Sequence, residues 1–259
     1  MAEPRIRVEV DGAVATVVVS RPDKLNAFDL SMLGELAAAC DEIEARVEVR
    51  AAILTGEGKT FSAGGDIRAW AAMKPNEFGH GWVRRGHRVF ERLATLRMPV
   101  IAAINGHALG GGLELAAAAD IRIAESHVRI GMPETSLGMV PGWSGTQRLV
   151  RRFGPQIVRR MVLGGETFTA EEARENGLVD HVVDTGGALE AARQYAARVS
   201  ARGPAATEIS KLMLAVAAGE DNGTAVEALG SILAAKTGDL AEGVAAFTGK
   251  RPAEFKGSW

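Results

Sequence analysis

The stretch PVIAAINGHALGGGLELAAAADIRIAESHVRIGMPE at residues 99–134 is the part of the sequence from which the fold can be worked out. An apolar run ends at Ile104, and three consecutive glycines, 110–112, precede an alanine-rich run that predicts a helix. Backbone N–H groups exposed at the start of a helix favour an anion. Glu114 falls in the first turn of that helix, and Glu134 follows a short strand pattern. The stretch predicts acid–base chemistry beside a stabilised oxyanion.

The flanking sequence predicts a layered α/β core. Residues 5–10 alternate charged and apolar side chains, and the run AVATVVVS follows the Asp11-Gly12 turn, which indicates a β-hairpin. A helix capped near Asp29 and a buried strand at 49–56 follow, and from Ala188 onward the pattern is helical only. Strands that alternate with helices are typical of an α/β domain. We therefore expect an α/β core of about 200 residues, the size of one domain, followed by a helical C-terminal region.

Composition argues against several classes of function. The net charge of −2 gives no general attraction to nucleic acid or to an anionic membrane. No apolar stretch approaches the roughly 18 residues of a membrane-spanning helix, so we expect a soluble cytoplasmic protein. The single cysteine, Cys40, cannot form an internal disulfide and is predicted to lie in the core. The five histidines show no metal-ligand spacing, so no metal site is expected.

One basic stretch needs its own interpretation. It contains Arg148, Arg151, Arg152, Arg159 and Arg160. Because these residues flank helical segments, a solvated helix face or a subunit contact is favoured over a nucleic-acid site.

A second glycine turn, SAGGD at 62–66, also enters a predicted helix. Either glycine turn alone would be explained by close packing of two backbones. Two such turns with carboxylates downstream favour a pair of backbone amides that hold one oxygen atom.

The motifs FSAGGDI, PVIAAINGHALGGGLELAAAADIRIA and MPETSLGMVPGWSGTQRL together resemble the crotonase superfamily, and most closely its enoyl-CoA hydratases. The resemblance extends from the first hairpin to the terminal KRPAEFK. It implies a crotonase-like α/β fold, with a spiral of ββα units over residues 1–198 and a helical trimerisation region over 199–259. It also implies a homotrimer or a dimer of trimers, an acyl-CoA thioester as substrate, and no cofactor other than the CoA of that substrate.

The resemblance also assigns roles to individual residues. The N–H groups of Gly65 and Gly111 would hold the thioester oxygen, Glu114 would accept a proton from water, and Glu134 would protonate carbon. The Gly142 amide would help to hold the water. Contacts with substrate and CoA are implied for Lys24, Leu25, Ala27, Ala63, Asp66, Ile67 and Pro133, and for Phe247 and Lys250 across a subunit boundary.

Two positions depart from the pattern of this family. Gly65 stands where alanine is common, and Trp143-Ser144 stands where Ala-Gly is common. Trp143 either narrows the acyl pocket or packs under the loop. For four apolar residues nearby, core packing is favoured over a pocket role; these are Trp70, Met73, Phe78 and Trp82.

Within the family that the sequence resembles, having both glutamates favours hydratase or dehydratase chemistry over isomerase chemistry. The alternatives are a dehydratase for a functionalised acyl-CoA of the carnitinyl-CoA type, an enoyl-CoA isomerase, and an RNA-binding homologue. The near-neutral charge disfavours the last of these.

Overall fold

The computed structural model describes residues 4–220 and 223–257. The chain divides into two compact units, Met1–Glu208 and Ile209–Trp259. The first holds every strand of the described residues, and the second is helical. The predicted boundary at residue 198 and the trimerisation role of the C-terminal region stay predictions.

The elements alternate as the sequence predicts. The strands are β1 (Ile6–Asp11), β2 (Val14–Val19), β3 (Ala51–Gly56), β4 (Thr60–Ser62), β5 (Val100–Ile104), β6 (His107–Leu109), β7 (Ile121–Glu125), β8 (Arg129–Gly131), β9 (Thr167–Thr169) and β10 (His181–Val183). The helices are α1 (Leu30–Ala45), α2 (Ile67–Trp70), α3 (Pro75–Glu77), α4 (Arg84–Ala94), α5 (Gly111–Ala116), α6 (Gln147–Phe153), α7 (Pro155–Gly164), α8 (Ala170–Glu175), α9 (Ala188–Ser200), α10 (Pro204–Ala217), α11 (Thr224–Ala235) and α12 (Gly238–Thr248). Two 3-10 turns, Pro22–Lys24 and Glu134–Leu137, complete the site loops.

Successive strands are divided between two sheets. The larger has the order β1-β2-β3-β5-β7-β10 and the smaller the order β4-β6-β8-β9. Each of β3, β5 and β7 joins the larger sheet, and the strand that follows it joins the smaller one. All neighbours are parallel except the β1–β2 hairpin and the β8–β9 pair. This repeated placement confirms the predicted α/β spiral of ββα units.

The core lies on both faces of the larger sheet. Ala52 and Leu54 of β3 pack into the main cluster with α1 and α4, whereas Ala51 and Ile53 face the alanines of α9. Because both faces are covered, β3 has a continuous apolar sequence rather than an alternating one. Asp29 caps the N-terminus of helix α1, because its carboxylate accepts hydrogen bonds from the N–H groups of Ser31 and Met32.

Several local expectations need correction. The short strands β4 and β6 read as loop or turn in the sequence, and β9 falls in a region that reads as mostly helical, because three residues carry too little periodicity. The glycines at positions 79 and 81, which a sequence pattern reads as an interruption of a helix, lie in a π-helical turn, Phe78–Val83, that runs directly into α4. The extra residue in a π turn accommodates these glycines without ending the helix.

Two of the basic residues are not solvated, which corrects that part of the prediction. Arg148 is buried and bonds the carboxylate of Glu91. The half-buried Arg152 donates to the carbonyl oxygens of Ala117 and Ala119, at the end of α5. Arg148 therefore pairs with the partly exposed Glu91, and Arg152 satisfies two buried carbonyl groups that follow α5.

Candidate active site

The two glycine turns meet where β4 and β6 end. These strands are parallel neighbours, so the loops that follow them leave the sheet side by side. A methyl group at Gly64 would lie 2.7 Å from the Gly111 nitrogen, and one at Gly112 would lie 1.9 Å from the Ser62 carbonyl oxygen. Gly64 and Gly110 also have positive φ angles, 89° and 54°. Glycine is needed here both for the backbone conformation and for the close approach.

The convergence places two N–H groups on one cavity. Gly65 and Gly111 both line it, and Gly111 is the first residue of α5. Within the described part of the chain, no backbone carbonyl accepts a hydrogen bond from either N–H group. Two free donors, one at a helix N-terminus, suit an oxygen atom that gains negative charge.

Glu114 lies on α5 with its carboxylate buried beneath this pair. Its Oε1 accepts the N–H groups of Trp143 at 2.7 Å and of Gly145 at 2.6 Å, so the turn at 142–145 fixes its orientation. Burial and the nearby Glu134 raise the pKa of Glu114 to about 8, against the lowering effect of the two amides and of Arg148. Burial disfavours the charged form of a carboxyl group, and a neighbouring negative charge adds to that effect.

Glu134 begins the 3-10 turn after β8 and faces the same cavity. A methyl group at Gly110 would lie 2.8 Å from its Oε1. Among the described residues, its Oε2 is buried without a hydrogen-bond partner. Burial raises the pKa of Glu134 as well. Two coupled carboxyl groups with raised pKa values tend to share one proton near neutral pH.

The cavity itself has a volume of about 130 Å³. Its lining comprises both glutamates, a glycine group, an aromatic group and an aliphatic rim: Gly65, Gly110, Gly111, Glu114, Glu134 and Gly142; Trp70, Phe78, Trp82 and Trp143; Ala63, Ile67, Val83, Pro133, Leu137, Met139 and Val140. An apolar lining with a few convergent polar groups is the usual composition of a small-molecule site. The four residues for which core packing was favoured, Trp70, Met73, Phe78 and Trp82, all pack in or against the core. All of them except Met73 also line the cavity.

The structure brings together only part of the predicted binding set. Ala63, Ile67 and Pro133 line the cavity together with Gly65 and Gly111. The exposed Lys24 and Leu25 lie in a loop joined to this region by a bond from the Ala63 N–H to the Leu25 carbonyl.

Other predicted contacts lie outside the lining of the cavity. Asp66 caps α2 and pairs with Arg21 at 2.9 Å. Ala27 is buried, and both its N–H and its carbonyl group are hydrogen-bonded within the loop. Phe247 and Lys250 belong to the second unit, where Phe247 is 87% exposed. Their contacts with CoA stay predictions.

Sequence reasoning missed the groups that hold Glu114. The resemblance assigned the Gly142 amide to the water, which stays a prediction, and it named no group that holds Glu114. The amides of Trp143 and Gly145 donate to that carboxylate. Gly145 has no room for a side chain, since a methyl group there would lie 2.6 Å from Glu114 Oε1. The glycine after Trp143-Ser144 was the available signal for this contact.

Comparison with known proteins agrees with this geometry. The sequence profile described as enoyl-CoA hydratase/isomerase matches residues 9–258. The chain belongs to the enoyl-CoA hydratase/isomerase family. Among its curated relatives, the short-chain-enoyl-CoA hydratase of Clostridium acetobutylicum is 42% identical over 79% of this chain and 78% of its own length. The crotonyl-CoA hydratase of Syntrophomonas wolfei is 37% identical over 98% and 99%.

Solved structures of this family share the fold. A crystal structure of enoyl-CoA hydratase from Bacillus anthracis superposes with a TM-score of 0.81 at 34% identity, covering 98% of this chain and 100% of the other. The crotonase fold predicted from the motifs is thereby confirmed. Among the described helices, none has the length and apolar character that crossing a membrane requires.

The raised pKa of Glu114 has a consequence for stability. Because the folded state holds this proton more tightly, the stabilising contribution is complete below the ordinary pKa of 4.5 and is lost as the pH rises through about 8. Glu114→Gln removes this titration. We expect the variant to gain on the order of 4 kcal/mol of unfolding free energy relative to wild type between pH 4.5 and pH 8.

Urea unfolding at several pH values measures this difference. Glu175→Gln, on the exposed end of α8, is the matched control and should follow the wild-type pH dependence. A Glu114→Gln curve parallel to wild type across the pH range would show that Glu114 titrates normally.

Proposed function

We propose that this protein is an enoyl-CoA hydratase, a hydro-lyase that reversibly adds water to a 2-enoyl-CoA to give a 3-hydroxyacyl-CoA. The observation that carries the proposal is the arrangement of Glu114 and Glu134 around one cavity with the free N–H groups of Gly65 and Gly111. The names of the Clostridium and Syntrophomonas relatives support the same reaction.

The reaction needs an oxyanion site because water adds poorly to an alkene that cannot delocalise charge. When water attacks the β-carbon of the conjugated thioester, electrons move to the carbonyl oxygen and form an enolate. The Gly65 and Gly111 N–H groups would donate hydrogen bonds to that oxygen. A donor of this kind typically contributes about 10²–10³-fold in rate.

The two carboxyl groups would handle the protons. Because Oε1 of Glu114 is occupied by two amides, we assign proton acceptance from the attacking water to its Oε2. Glu134 would deliver its proton to the α-carbon, and its unpartnered Oε2 suits this role. The pair carries one proton before and after turnover, which agrees with the raised pKa of both groups.

An isomerase is the weaker alternative. Moving a double bond requires one group that removes a proton from carbon and returns it, and Glu134 alone would suffice. The fixed orientation of Glu114 has no use in that reaction. The geometry therefore favours hydration.

The CoA portion and the assembly are further parts of the proposal. We place the nucleotide of CoA against the loop around Lys24, Leu25 and Ala63. We also propose a homotrimer or a dimer of trimers formed through the second unit, because its helices expose large apolar side chains; these include Met213, Leu214, Val226 and Phe247. A subunit contact would cover these side chains, and a mass of one chain in solution would contradict the assembly.

The test is a panel of CoA thioesters incubated with the purified protein. With 2-butenoyl-CoA we expect loss of the conjugated absorbance and accumulation of 3-hydroxybutanoyl-CoA. A 3-enoyl-CoA in the same panel reports isomerase activity, and a filter-binding assay reports RNA binding. Conversion of the 3-enoyl thioester alone, or salt-sensitive RNA binding without any hydration, would contradict the hydratase assignment.

A further inference from the structure

The indole of Trp143 lies in a buried slot beside Gly86 of α4. The indole is only 3% exposed, and Phe90 and Phe28 meet it edge-on at centroid distances of 5.0 and 6.3 Å. A methyl group at Gly86 of α4 would lie 2.1 Å from its Nε1. The indole can therefore lie against α4 only because residue 86 is glycine.

The other side of the same indole forms a wall of the cavity. Its six-membered ring lies against both oxyanion glycines. A methyl group at Gly111 would lie 2.9 Å from Cζ3 of Trp143, and one at Gly65 would lie 3.5 Å from Cη2 of the same ring. Trp82 packs on Trp143 with ring centroids 5.2 Å apart. The two indoles together close the inner end of the cavity.

The presence of Trp143 also explains why glycine stands at position 65, where alanine is common in the family. A methyl group at Gly65 would lie 2.9 Å from Cζ2 of Trp82, so the alanine common at this position has no space beside the indole pair. Gly65, Gly86 and the two tryptophans are thus one packing unit. Gly86 and both tryptophans of this unit are buried, whereas the opposite rim of the cavity, at Ile67, Leu137 and Val140, is exposed.

On the basis of the hydratase function, we propose that Trp143 is the specificity-determining residue that limits the substrate to short acyl chains of about four to six carbons. A dry cavity of about 150 Å³ holds one benzene molecule, and the cavity here is about 130 Å³. Because this volume also includes the space at the oxyanion glycines and at both glutamates, what is left beside the indole pair suits a short acyl chain.

The direction of the acyl chain follows from the positions of the catalytic groups. The thioester oxygen lies at Gly65 and Gly111, and the β-carbon must approach the carboxylate of Glu114. The backbone N–H of Trp143 is 2.7 Å from Glu114 Oε1, and the indole of the same residue lies against Gly65 and Gly111. Carbons beyond the β-carbon consequently run toward the indole pair, and a longer chain requires the Trp143 ring to leave its slot.

The experiment compares kcat/KM for 2-enoyl-CoA thioesters of four, six and ten carbons in wild type and in Trp143→Leu. We expect wild type to lose at least about 100-fold between four and ten carbons, since hydrophobic pockets discriminate single methylenes by about 10–200-fold. In Trp143→Leu the ratio of ten-carbon to four-carbon activity should rise at least about 10-fold. Phe168→Leu, which removes a buried ring that does not line the cavity, should keep the wild-type ratio.

The outcomes separate this proposal from the hydratase function. Equal wild-type efficiency for four and ten carbons, or an unchanged ratio in Trp143→Leu, would overturn the role of Trp143 and leave the hydratase function standing. Absence of turnover with every thioester would overturn the hydratase function itself. If Trp143→Leu does not fold, Trp143→Phe is measured instead, and the wild-type profile alone still decides whether the cavity excludes long chains.

Discussion

Glu134→Gln lowers kcat for hydration of 2-butenoyl-CoA by about 10²–10⁴-fold, the contribution of one positioned proton transfer. Glutamine keeps the size of the side chain but has no proton of suitable acidity for the α-carbon. The thioester contacts at Gly65 and Gly111 are unaffected, so substrate binding changes little. Steady-state kinetics give kcat, and calorimetric titration with the 3-hydroxyacyl product gives the affinity.

Glu114, the other carboxyl group of the pair, provides a second test of this prediction. Glu114→Gln should cost a similar factor, and because the two groups act as a unit, the double variant should cost about as much as either single one. Glu175→Gln is the matched control outside the cavity and should keep wild-type kcat. Wild-type rates in both single variants would exclude the pair as the acid and the base.

Gly112→Ala has the second large effect, and it acts through the backbone. The added methyl group would lie 1.9 Å from the Ser62 carbonyl oxygen, so the end of β4 and the start of α5 must move apart. That movement separates the N–H groups of Gly65 and Gly111. We expect kcat/KM to fall by about 10²–10³-fold, as on loss of one oxyanion donor. The unfolding free energy should fall by about 1–3 kcal/mol, as is typical of overpacking.

A matched glycine provides the control for this substitution. A methyl group at Gly79, in the π-helical turn, meets no atom within 4 Å. Gly79→Ala should therefore leave both kcat/KM and the thermal unfolding midpoint near wild type. Equal behaviour of the two variants would show that the close approach at Gly112 is unimportant for the site.

Much of the fold could be predicted because it depends on local patterns. The Asp11-Gly12 turn, the Asp29 cap and the capping box of Thr169 and Glu172 each arise within a few residues. The short strands of the second sheet could not be predicted, since their pairing is decided by neighbours far along the chain. The π-helical turn could not be predicted either, because sequence patterns for helices assume 3.6 residues per turn.

The site divides in the same way. Glycines and carboxylates at characteristic spacing indicated the two loops and the two glutamates, and the structure places these around one cavity. The position of Trp143 depends on Gly86, and the role of Gly145 depends on Glu114, 31 residues earlier. Contacts of this kind form only when distant segments fold together, so the wall of the acyl pocket could not be predicted from the sequence.

The most direct test of the central claim is hydration of 2-butenoyl-CoA in water labelled with heavy oxygen, followed by mass spectrometry of the thioester product. If Glu114 activates water beside the Gly65 and Gly111 oxyanion site, 3-hydroxybutanoyl-CoA accumulates with one labelled oxygen, and the double variant Glu114→Gln, Glu134→Gln forms it at least about 10²-fold more slowly. Absence of labelled product with wild-type protein, or equal rates of labelling in wild type and the double variant, would contradict the account.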